Sequence, residues 1–370
     1  MFKMSKQKLL VKKKQEGFSL IELLIVVTLL AIVVVMSSNT FTIALKQSGQ
    51  QTKIVESQVE GIIGLELLRY DIEHAGYGLP WAFKNVINYN EATTSPAINY
   101  NDSSAGVPRA ILIGNDTGFN ASDYLVIKAI TAGTNSAAQK WTYIVTGGQP
   151  KQWTPSSVNL SNGDRVIVIR PRVDVMTQPT LIMNGTDFFC AYNGSNFPAA
   201  FKPTQTGERY LIYGVSTSTD PSMPFNRTDY YISRPADIPA HCAPGTGILY
   251  KGVVNQDDGA LTELPVIDCV ADMQVIFRLD TNGDGVVDAQ VNSLATLTAQ
   301  QIREQIKEVR VYILAQEGQR DTGYSYPNQV ITMGEYGLGR SFDLATYVGT
   351  EWNRYRWKTY TLVAKPKDLY

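Results

Sequence analysis

The chain has 370 residues, of which 44% are hydrophobic and 18% charged. That is the composition of a globular protein with a core, long enough for one large domain or two ordinary ones, and it excludes a disordered chain. With 33 Lys and Arg against 34 Asp and Glu the formal net charge is −1, so the balance gives no reason to expect nucleic-acid binding.

Lysines crowd the start of the chain, at Lys3, Lys6, Lys8 and Lys12 to Lys14. Then comes GFSLIELLIVVTLLAIVVVM, Gly17 to Met36, in which Glu22 is the only charge. A run of this length is what an α-helix needs to cross a bilayer. The basic flank places the chain start in the cytoplasm and everything after Met36 on the far side of the membrane. A glutamate inside such a helix is expensive and calls for a cation or a function. An ordinary secretory signal has a shorter apolar region followed by a small-residue cleavage site, and Ser37-Ser38-Asn39 is not one.

A basic leader, Gly17-Phe18, Glu22 four residues beyond the Phe, and a long apolar run together resemble the prepilin processing motif of type IV pilins and type II secretion pseudopilins. The resemblance implies a leader over 1–17, cleavage between Gly17 and Phe18, and methylation of the new amine on Phe18. That amine lies within about one helical turn of Glu22. In a bundle of parallel helices it meets the carboxylate of a neighbouring chain and sets the axial stagger; the alternative is that Glu22 neutralises its own amine. Many major pilins carry a proline in this half of the helix. Here Ser37 to Thr40 is the only soft spot.

Residues 18 to 75 read as one long helix, with 18–36 in the membrane. Val55, Val59, Ile62, Leu65, Leu68, Ile72 and Ala75 recur at steps of three and four, a stripe on which a head can pack. Gly49, Gly61 and Gly64 weaken it locally, each by about 1 kcal/mol relative to Ala. Gly76, Gly78 and Pro80 end it.

From residue 76 the chain reads as a β-rich head running to 370. Strand-like runs alternate with Asn, Gly, Asp and Pro: AILIG near 110, DYLVIKAI near 123, WTYIV near 141, RVIVIR near 165, RYLIYGV near 209, DYYIS near 229, GILYKGVV near 247, VADMQVIFRL near 270, KEVRVYILAQ near 307 and YRWKTYTLVAK near 355. A short helix is expected within 295–309. The expected class is α+β, a long N-terminal helix packed on a large antiparallel assembly. The tryptophans are too widely spread in sequence to mark a carbohydrate platform.

DTNGDGVVD places Asp280, Asn282, Asp284 and Asp288 at loop positions one, three, five and nine, with Gly285 at six and the Val286 carbonyl at seven. These are the oxygen positions of an EF-hand-type calcium loop. Position twelve is Val291 rather than a bidentate Glu, and the flanks are strand-like. A polar hairpin turn is the competing reading. Calcium is favoured because three carboxylates this close repel one another without a cation.

Three cysteines leave an odd thiol. The expected bridge is Cys242 to Cys269, because adjacent strands bring those positions together; Cys190 in DFFCAYN reads as a small core residue. With two histidines and no G-x-S-x-G, P-loop or metalloprotease pattern, no enzyme is expected.

LLRYDIEHAGYG at 67–78 is similar to the helix end of PilW-type minor pilins, and LPVIDCVADMQVIFRLDTNGDGVVD with REQIKEVRVYILAQEG is similar to their C-terminal half. The resemblance implies a minor pilin held in the inner membrane and then moved into a pilus on the cell surface, where it primes or caps assembly. Its partners would be other minor pilins, the major pilin, the prepilin peptidase and the inner-membrane assembly platform. A type II secretion pseudopilin and a pilus-tip adhesin are the alternatives.

Overall fold

A computed structural model describes residue 17, residues 19–172 and residues 177–369. Most of the expected leader, and Phe18 of the cleavage pair, lie outside the described residues. The chain divides after Thr52 into two compact units.

The first unit is helical from Leu20, where α1 (Leu20–Glu73) begins. Its residues from Leu20 to Met36 are exposed, and the helix is long and apolar enough to cross a membrane. The expected soft spot at Ser37 to Thr40 does not interrupt it. The hydroxyl of Thr40 donates to the Met36 carbonyl at 3.0 Å, and that of Thr42 to Ser38 at 2.9 Å. Each threonine hydroxyl thus bonds back to a carbonyl one turn earlier, and the helix continues through the segment.

The second unit holds the rest of α1 and the sheets. In chain order the strands among the described residues are β1 (Ala82–Phe83), β2 (Ile111–Gly114), β3 (Tyr124–Ala129), β4 (Trp141–Val145), β5 (Arg165–Arg170), β6 (Thr180–Leu181), β7 (Cys190–Ala191) and β8 (Arg209–Ser216). They continue with β9 (Asn226–Ser233), β10 (Gly247–Val254), β11 (Leu261–Leu279), β12 (Ala289–Val291), β13 (Ile306–Glu317), β14 (Val330–Met333), β15 (Arg340–Asp343) and β16 (Arg356–Ala364). Each strand-like run of the sequence lies in one of them. The larger sheet runs β16-β13-β11-β10-β9-β3-β2, with β12 on β11; the smaller runs β1-β6-β5-β8-β4, with β7 on β5; β14 and β15 form a separate hairpin. Pairing is antiparallel except for β1 with β6. The expected short helix is α2 (Ala299–Gln305), started by a capping box between Thr298 and Gln301. A one-turn α3 (Leu344–Tyr347) follows β15.

Leu68, Ile72 and Ala75 of the apolar stripe are buried in the main core with Ile267, Val270, Met273 and Val311 of the larger sheet. Gly61 and Gly64, which look like weak points in the sequence, lie where the helix comes close to that sheet. A Cβ on Gly64 would lie 2.7 Å from side-chain carbons of Val266 and Ile267, and one on Gly61 3.0 Å from the Tyr360 ring. The loss in helix propensity is offset by this close approach.

The end of the chain returns to the end of the helix. After β16, the Lys367 N–H donates to the Glu73 carbonyl at 2.8 Å, and its ammonium pairs with the Glu73 carboxylate. Leu369 is fully buried beside Gly76, which holds a φ of +88° in the turn that stops α1.

Candidate assembly helix and head sites

Glu22 stands in the first turn of α1, exposed, and its carboxylate accepts the Ser19 N–H at 2.9 Å. An acid there satisfies one of the open N–H groups of the helix start and favours the positive end of the helix dipole. The other half of the expected pair, the Phe18 amine, lies outside the described residues.

A second carboxylate of α1 was not singled out in the sequence. Asp71 lies on the buried side between Leu68 and Ile72, only 3% exposed. It accepts the Tyr230 hydroxyl of β9 at 2.6 Å and the Lys251 ammonium of β10 at 2.5 Å. Burial, then the Asp71 charge, pushes the Tyr230 phenol well above its ordinary pKa, so it stays a donor. The available signal was an acid falling on the apolar stripe, where an ionised group needs a partner.

The loop 280–288 joins β11 to β12, with Leu279 paired to Ala289. The Asp280 carboxylate accepts the N–H groups of Gly283 at 2.7 Å, Asp284 at 3.2 Å and Gly285 at 2.8 Å. Asp284 accepts from Val286 and from the Asn282 amide, and Asp288 accepts from the N–H and hydroxyl of Thr281. Gly283 and Gly285 take φ of +78° and +87°, which is the wrap the spacing demands. Only oxygen ligands are offered, a set that suits a hard cation. Among the described residues, however, the one group of three His, Cys, Asp or Glu ligands within 4.8 Å of one another is His241, Cys242 and Cys269. The loop's carboxylates therefore point into separate hydrogen bonds rather than at one centre.

Both sulfurs of that group are spent on each other. Cys242 and Cys269 form a disulfide with Cα atoms 4.9 Å apart. Cys269 lies between Ile267 and Val270, where β11 carries an extra residue against β10, and has a φ of +55°. Cys190 is a free, buried thiol pushed up to about 12 by burial, which leaves it inert.

The tryptophans spread through the sequence are partly gathered by the fold. Trp141 and Trp153 meet with ring centroids 5.2 Å apart, and the Trp153 indole N–H donates to the Trp141 carbonyl at 2.9 Å. That pair anchors the loop after β4, as the Trp357 N–H anchors the turn at Trp352.

Comparison with known proteins gives matches at both ends of the chain. Residues 12–38 match the model of the prokaryotic N-terminal methylation motif, and residues 229–363 that of the Type IV Pilus-assembly protein W. No curated protein matches significantly. A solved type IV-like pilin, TTHA1219 from Thermus thermophilus, is 10% identical over 85% of this chain and 98% of its own, with a TM-score of 0.31, too low to carry an argument. A methylation-type leader joined to an exposed apolar helix and an antiparallel head defines a type IV pilin-like protein. The second match, from β9 into β16, makes this part of the head similar to the minor pilins of that class. Such proteins are structural and assemble with other pilins and membrane machinery.

Proposed function

We propose that this chain is a minor pilin that primes or caps a type IV pilus, entering it from the inner membrane by packing its helix among those of other pilins. The observation that carries the reading is the run from Leu20 to Met36, exposed along its whole length with Glu22 its only charge. Such a surface needs lipid or other apolar helices around it. Cleavage after Gly17 frees an amine on Phe18, and that amine on one chain answers Glu22 of the next. The major pilin, further minor pilins, the prepilin peptidase and the assembly platform are the partners this requires. The head then stands outside the membrane, and eventually on the cell surface.

The test is Glu22→Ala in a piliated host. The variant is expected to be processed to a Phe18 start yet to be missing from sheared pili, with fewer pili formed. Normal incorporation would overturn the docking rule. Intact pili with a defect in protein secretion would point instead to a type II secretion pseudopilus.

We also propose that the 280–288 loop takes calcium through Asp280, Asn282, Asp284, the Val286 carbonyl and Asp288, after its carboxylates turn from their present hydrogen bonds. The support is the all-oxygen donor set at alternating positions with glycines where the chain wraps. The ion would stiffen the hairpin rather than take part in chemistry.

A further inference from the structure

The interior of the head holds a lysine with no access to solvent. Lys128 on β3 is 0% exposed, and its ammonium lies 2.6 Å from Glu91 Oε1 and 2.7 Å from Asp102 Oδ2. Both acids come from the segment between β1 and β2; their side chains are 1% and 6% exposed. The Phe225 ring covers the amine, its centroid 5.2 Å from Nζ.

The two carboxylates are held differently. Glu91 Oε1 also accepts the Asp102 N–H at 3.0 Å, and Oε2 accepts Arg227 at 2.9 Å. Arg227 is in turn held by Asp229. Asp102 offers Oδ2 to Lys128 and to the Arg109 N–H at 2.8 Å, while Oδ1 accepts the Arg109 Nε at 2.6 Å. An amine therefore lies against one oxygen of a carboxylate whose other oxygen is gripped by a guanidinium, with a second carboxylate beside the amine.

We propose that Lys128 and Asp102 condense to an intramolecular amide, with Glu91 as the proton carrier. One proton passes along the Nζ–Oδ2 hydrogen bond, turning the ion pair into a neutral amine and acid; burial of Asp102 works for this step, and the Lys128 and Arg109 contacts that hold its carboxyl below the ordinary range work against it. The Nζ lone pair attacks Cγ of Asp102. The negative charge gathers on Oδ1, where Arg109 donates to it. Glu91 takes a second proton from the nitrogen and delivers it to Oδ2. The Cγ–Oδ2 bond breaks and water leaves. Of the three ammonium protons, two depart in the water and one stays on the amide nitrogen, and the two opposite charges cancel. No oxidant or co-reactant is needed. The fixed geometry supplies the effective concentration that condensation in water lacks. The product ties the segment before β2 covalently to β3.

Intact mass of the full-length chain, extracted in detergent and reduced, tests this directly. The wild type is expected one water lighter than its processed sequence, and a proteolytic digest to yield one branched fragment joining the Asp102 and Lys128 peptides. Glu91→Gln is expected at the full sequence mass. Lys128→Arg, which keeps the charge and cannot form the amide, covers a Glu91 variant that fails to fold, and is expected at full mass too. Wild type at full mass with separate peptides overturns the proposal. So does a water loss that persists in Lys128→Arg.

Discussion

Asp71 of the long helix and Lys251 of β10, 180 residues apart in sequence, meet at 2.5 Å inside the head, with the Tyr230 hydroxyl on the same carboxylate oxygen. This is a buried polar point at which the helix is registered on the sheet. Apolar packing tolerates sliding by a turn; a buried ion pair does not, because a misplaced helix leaves both charges dry and unpaired. Replacing Asp71 by Ala should destabilise the head by about 3–5 kcal/mol, the cost of stranding Lys251. Urea unfolding of Asp71→Ala, Lys251→Met and the double variant checks it. The double should lose less than the sum of the singles; strict additivity would mean the pair does not set the docking.

Gly64→Ala is a second probe of the same contact. Alanine is worth about 1 kcal/mol more than glycine in a helix, yet its Cβ would sit 2.9 Å from the Val266 carbonyl oxygen and closer still to two side-chain carbons. Overpacking of this kind costs roughly 1–3 kcal/mol. A lowered melting temperature is expected, and a raised one would show that the sheet gives way.

A pH dependence follows from Asp123, fully buried between β2 and β3. Burial pushes it up to about 7 from 3.8; the N–H groups of Asp116 and Val275 oppose the rise, and the Asp116 and Asp272 charges add to it. The folded state thus binds the proton more tightly than the unfolded state. Its contribution to stability is fully present below 3.8 and is lost as pH rises through about 7. Urea midpoints of wild type and Asp123→Asn over that window should converge or cross as pH rises, whereas parallel curves would place the carboxyl at an ordinary pKa.

For the 280–288 loop, calcium should raise the melting temperature of the wild type and a chelator should lower it, since a ligand that binds only the folded state stabilises by mass action. Asp284→Ala, at an exposed position, should abolish the difference while leaving the chelated melting point nearly unchanged. An equal melt with and without the ion would leave the loop as a polar turn.

What could be read from the sequence was what depends on neighbours along the chain. The apolar run after Gly17, the helical stripe through Leu68 and Ile72, and the strands rich in Val, Ile and Tyr all announce themselves by local periodicity. β1, β6 and β7, each two residues long, carry too little pattern to register. β11 starts at Leu261, ahead of the apolar run from Val270, and the stretch between carries no clear strand pattern because LTELPVID mixes polar residues with a proline. The partner of Asp71, the interior setting of Lys128 and the purpose of Gly64 depend on residues far away in sequence, and no window along the chain contains them.

The tail at Lys367 and Leu369 has an implication for when the head is finished. The Lys367 backbone closes the Glu73 carbonyl, and the Leu369 side chain plugs the turn at Gly76. The helix end is thus sealed by a segment 294 residues further along the chain, and the joint stays open until that segment has folded back onto it.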